Sequence, residues 1–161
     1  MINQAELERK LYNVLSKSKF QDIENIAILP GNDGSYQVFG RYTIIKQDSN
    51  NIIVKLFNGD MVNSFYSMKS AICWCVFDKR GLYSSANRIL NLDNKLSGLD
   101  VSISIHSKLI DKSKDMNDKF IYLAKLNEEK LQKREMTAEL NRYINDSYSW
   151  QQKQFDLKTK H

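Results

Sequence analysis

The stretch LYSSANRILNLDNKLSGLDVSISIHSKLI, Leu82 to Ile110, decides the fold. Its apolar positions Leu82, Ile89, Leu92, Leu96, Leu99, Ile103 and Ile110 share one stripe with His106. From Ile89 onward the steps are 3, 4, 3, 4, 3 and 4, the spacing of an a/d seam that one helix turns toward another. An apolar stripe of this length is unfavourable in water, so much of the remaining chain is expected to cover it. One segment argues the other way. Val101 to Ser107 alternates strictly and is rich in β-branched residues, which is strand chemistry, and Ser97-Gly98 before it is able to break a helix. The heptad phase runs through unbroken, and on that ground we read the segment as helix.

Downstream, Asp111 to Asp115 is polar enough for a tight turn, with Ser113 or Asp115 as the next helix cap. Residues 116–148 read as that helix. Tyr122, Leu126, Met136, Leu140 and Tyr143 lie on its 4-3 grid, interrupted by Glu129 and Lys133. The alternative is one continuous helix over 82–148, since neither Gly nor Pro stands at 111–115. Residues 149–161 form a tail carrying Trp150 and Phe155.

Upstream, residues 3–18 read as a first helix, with Asn3 and Glu6 as a capping box. Residues 25–65 read as an antiparallel β-meander of three or four strands. The strands are Ile26–Leu29, an alternating run from Tyr36 to Ile45, Ile52–Phe57, and Met61–Phe65. Asn58-Gly59 is expected to make a type I′ turn between the last two. Residues 67–79 read as a second helix, capped by Ser64 or Ser67, packed across the sheet, and ended by Gly81 at the left-handed C′ position. The fold class is therefore α+β. A small domain over 1–81 holds the meander and two flanking helices. A coiled-coil-like helical hairpin follows over 82–148, then the tail.

The chain has 161 residues and a net charge of +5, spread as +2 over residues 1–80 and +3 over 81–161, with no basic arm. Cys73 and Cys75 are too few and too close for a disulfide framework, so reduced thiols in a cytoplasmic setting are expected. The N-terminus lacks the apolar run of a signal peptide, and no stretch is apolar enough to span a bilayer.

Most chemistry-bearing patterns are missing. On a helix, Cys73 and Cys75 point roughly 200° apart, so they cannot share one metal ion and read as small core residues. His106, on the seam, reads as a hydrogen-bonded residue that fixes helix register. The glycines spell no phosphate-binding loop, and no nucleophile motif occurs. No enzyme activity, cofactor, metal or small-molecule ligand is expected.

Two binding readings remain. In the first, the hairpin and the aromatic residues Tyr143, Tyr148, Trp150 and Phe155 form a contact surface for a protein partner or a second copy. In the second, Lys108, Lys112, Lys119, Lys125, Lys130, Lys133 and Arg134 on the hairpin bind nucleic acid, or Arg41, Tyr36 and Tyr42 do so on a sheet face. Acidic residues interleave the first set, and no RNA-binding motif supports the other.

The segment Phe65-Tyr66-Ser67-Met68-Lys69-Ser70-Ala71-Ile72-Cys73-Trp74-Cys75-Val76-Phe77-Asp78-Lys79, with Asn87-Arg88-Ile89-Leu90 after it, resembles small uncharacterised proteins encoded by marine tailed bacteriophages. That resemblance implies a phage product made in a bacterial cytoplasm, as a virion component or host-interaction factor. It carries over no catalytic residue.

Overall fold

The computed structural model describes residues 27–31 and 33–159. The expected helix over 3–18 and His161 lie outside them. Five strands, β1 (Ile28–Pro30), β2 (Tyr36–Val38), β3 (Tyr42–Asp48), β4 (Asn51–Leu56) and β5 (Met61–Phe65), pair antiparallel in sequence order. Three helices follow: α1 (Met68–Lys79), α2 (Tyr83–Lys112) and α3 (Met116–Thr159). The architecture is α+β, and Val101 to Ser107 is helical within α2.

The sheet corrects the sequence reading at two turns. Tyr36 to Ile45 is not one strand. It folds back at Phe39-Gly40, both at positive φ (56° and 63°), and the Arg41 N–H reaches the Val38 carbonyl at 3.1 Å. The facing pairs Tyr36–Ile44 and Val38–Tyr42 keep all four side chains on one side of the sheet, so the predicted face survives the extra turn. At the β4–β5 hairpin only Gly59 takes positive φ. The Gly59 N–H donates to the Leu56 carbonyl at 2.8 Å, so Phe57-Asn58 form the turn and Gly59 the left-handed bulge that follows it. A separate register shift between Val54 and Lys55 leaves Val62 without a facing partner on β4.

Helix α1 begins where the Ser67 side chain accepts the Ser70 N–H at 3.2 Å. Every residue from Ser70 to Phe77 is buried, because α1 lies between the sheet and the pair α2–α3. A helix covered on all sides needs no polar face, and this one has almost none. It ends in a Schellman turn: Leu82 N–H to the Phe77 carbonyl at 2.9 Å, Gly81 N–H to the Asp78 carbonyl at 3.0 Å, and Gly81 at φ +76°. That turn sends α2 back across α1.

Cys73 and Cys75 are buried on α1, and desolvation pushes both thiols above their ordinary range. They belong to the same buried core as Trp74, whose ring meets those of Tyr42 and Phe65 at 5.9 and 6.0 Å. The Tyr42 hydroxyl, inside this core, donates to the Asp78 carboxylate.

Between α2 and α3 the chain turns over three residues. Ser113 leaves α2 in extended conformation, and the Asp115 side chain caps α3 by accepting the Asn117 N–H at 3.0 Å. Two helices therefore replace the alternative of one continuous rod. Helix α3 also runs past residue 148 to Thr159, so the expected tail is its last turns.

Candidate interaction surface

Only part of the α2–α3 pair belongs to the core. Ala86, Ile89 and Leu92 of α2 and Leu140, Ile144 and Tyr148 of α3 join it, with Leu96 and Met136 at its edge. Beyond these, Ser97–Lys112 continues for roughly 24 Å as an arm made with the first turns of α3.

The pairing in the arm explains the two breaks in the α3 grid. The Glu129 carboxylate receives the Ser102 hydroxyl on one oxygen and faces His106 Nδ1 with the other. Lys133 Nζ lies 2.6 Å from an Asp100 oxygen. At the root of the arm, Arg88 holds Glu139 with two bonds of 2.6 and 3.0 Å. Partner numbers on α3 fall as those on α2 rise, as an antiparallel pair requires. His106 also stacks on Tyr122, 6.3 Å between ring centres and 22° between planes. A half-buried histidine in an apolar seam is tolerable because a carboxylate answers it. The matching signal was present in the sequence. Both seams carry polar slots, and antiparallel helices bring such slots face to face.

This node is not arranged as a nucleophile and base, since Glu129 stands between the hydroxyl and the imidazole. Partial burial works to raise the Glu129 carboxyl, but the bonds from Ser102 and His106 outweigh it and hold the group below the usual carboxylate range. A lowered folded pKa adds stability above the unfolded value, lost as the pH falls through the folded one. Amide protection in the arm, corrected for the intrinsic pH dependence of exchange, is therefore expected to fall on acidification below about pH 4. Glu129→Gln should remove that acid step. An identical acid step in the variant would show that Glu129 does not hold the arm.

The outer faces of the arm carry exposed apolar side chains. Val101 and Ile105 on α2 are 57% and 51% exposed. On α3, Phe120 and Leu131 are 62% and 51% exposed, with Met116 and Leu123 beside them. Monomeric proteins scatter single exposed apolar residues, whereas these recur on two helices already paired with each other.

The aromatic residues expected at that surface lie elsewhere. Tyr148 and Phe155 are buried, and Tyr143 is half-buried, its ring edge-on to Phe77 with ring centres 5.5 Å apart. Trp150 meets Phe39 edge-on at 5.8 Å, with the Arg80 guanidinium 5.8 Å from its ring. Because α3 continues as helix, Tyr143 packs against α1 and Trp150 against the Phe39 turn, while Tyr148 and Phe155 are buried.

Of the seven basic residues, Lys130, Lys133 and Arg134 line one shallow groove of about 480 Å³ with Ile103, Thr137 and Asn141. Lys133 is already paired there with Asp100. Over residues 97–135 eight basic residues meet seven acidic ones, so the arm carries almost no net field for a polyanion.

A second cleft, of about 710 Å³, lies where Arg88 and Arg142 face Glu139 and Asp146. No group of three metal-ligating side chains occurs among the described residues, and no helix there is long and apolar enough to cross a membrane. In comparisons with known proteins, no family model, curated protein or solved structure matches this chain.

Proposed function

We propose that this is a non-enzymatic interaction protein, and that the helical arm is its contact surface. The α+β body is the platform, and α2 and α3 carry the surface away from it. One observation carries the reading: the arm spends one face of each helix on its own seam and still exposes Val101, Ile105, Phe120 and Leu131 on the outside. The resemblance to tailed-phage proteins supports a role as a virion component or host-interaction factor, by association only.

The test is affinity purification from the cells that make the protein. Phe120→Lys with Leu131→Lys is expected to abolish recovery of the partner while leaving the helical circular dichroism intact. Undiminished recovery would overturn the reading. Retention on heparin measures the rival. The arm's near-neutral charge predicts elution at low salt, and a steep salt dependence would favour nucleic acid.

A further inference from the structure

On the reading of the arm as contact surface, the geometry points to a second copy of this chain as the occupant. It lies along the outer face of α3, parallel, about a two-fold axis running with the arms. At 100° per residue, Phe120 and Leu131 project from the side of α3 opposite Tyr122 and Leu140, which face α2. The same outer face stays open beside the body, where Ala138, Asn145 and Ser149 are exposed. Among the described residues, exposed positions therefore continue along this face of α3 from Phe120 to Ser149.

The charges beside this stripe choose the occupant and its direction. The helical projection places Lys119 and Lys130 along one edge, with Arg134 nearer the stripe, and Glu128 and Glu135 along the other, where Arg142 follows them beside the body. Antiparallel two-fold pairing sets each edge against its own kind and crowds the lysines. Parallel pairing sets the basic edge of each copy against the acidic edge of the other. Lys130 then precedes its cross-helix partner Glu135 by the five residues that link g to e′ positions in parallel pairs. The stripe is thus complementary to itself.

The exposed apolar chains amount to roughly 400 Å² per copy. Two copies with their charged rims bury about 1,000 Å², the lower end of specific interfaces. A reversible, concentration-dependent dimer is the expected species.

Sedimentation equilibrium of the full chain tests this. The wild type should dimerise, and Phe120→Lys or Leu131→Lys should each weaken the dimer by about tenfold or more. Lys130→Glu and Glu135→Lys should each weaken it, and the double exchange should restore it. Direction is read by cysteine. Asn127→Cys and Ala138→Cys should each give a disulfide-linked dimer on mild oxidation, since parallel helices bring like positions together. Buried Cys73 and Cys75 do not compete.

A wild-type chain that stays monomeric at millimolar concentration overturns the inference, as does a dimer indifferent to Phe120→Lys and Leu131→Lys. If that monomer still loses its partner in the affinity purification when Phe120 and Leu131 are changed, the contact-surface reading stands and only self-pairing falls. Failure of Ala138→Cys to cross-link overturns the parallel arrangement.

Discussion

Phe39→Ala is expected to cost about 3–5 kcal/mol of unfolding free energy, more than any exposed arm substitution. Phe39 is the one non-glycine described residue at positive φ, 56°, a conformation unfavourable by roughly 1–2 kcal/mol for a residue with a Cβ. Its ring is 2% exposed and meets Trp150 edge-on, with Lys79 Nζ 5.6 Å from its centre. Its N–H donates to the Ala27 carbonyl at 2.9 Å. Burial of an aromatic ring gives roughly 1.5–3 kcal/mol, so packing outweighs the backbone cost and the turn holds. Alanine keeps the backbone cost and loses the ring. Phe39→Gly loses the ring but relieves the backbone, and should be about 1 kcal/mol more stable than the alanine variant. Urea unfolding of both variants decides it, and an alanine variant as stable as the glycine variant would refute the account. Trp150 emission should shift to the red in both, since its neighbour is gone.

Asp93→Ala is the second large effect, a loss of about 2–4 kcal/mol. Asp93 is 2% exposed on α2, and its carboxylate accepts the Tyr66 N–H at 2.7 Å, with the Ser67 hydroxyl at 3.5 Å. It therefore pins α2 to the junction of β5 and α1, next to the residue that caps α1. Alanine leaves the Tyr66 N–H without its acceptor and opens a gap. Burial pushes the Asp93 carboxyl above its ordinary range, against the lowering effect of the bonds from Tyr66, Ser70 and Ser67.

A raised folded pKa adds stability that is full below the unfolded value, about 3.9, and lost as the pH rises through the folded one. Asp93→Asn keeps a carbonyl oxygen for the Tyr66 N–H and has no charge to desolvate. It is expected to stay close to wild type at neutral pH. The wild type should gain on it as the pH falls through the folded value toward about 3.9. Urea midpoints from pH 7 to 4 measure this, and parallel curves would show that the carboxyl is not perturbed.

How much was legible in the sequence differs element by element. The 3-4 period set α2 as a helix through Val101–Ser107, although β-branched alternation argued for a strand. A helix with a partner seam gains more from burying that seam than a few residues lose in propensity. Ser67, Gly81 and Asp115 marked helix ends correctly, because a cap is chemistry between near neighbours. Parity along the strands gave the buried face of Tyr36, Val38, Tyr42 and Ile44 even though the turn at Phe39 was missed.

That turn was illegible for a physical reason. A phenylalanine at positive φ is unfavourable locally, and burial of its ring beside Trp150 and Lys79, distant in sequence, offsets that cost. The site followed the same division. The polar slots at His106, Glu129 and Lys133 were visible, but their partners lie across the arm. The tail with Trp150 and Phe155 read equally as an extra helical turn or a docking segment, because a helix that continues is indistinguishable by local composition from one that frays. Periodicity along one chain determines which residues share a face; what stands across from that face, and so whether it is core or contact, was decided only by the tertiary packing.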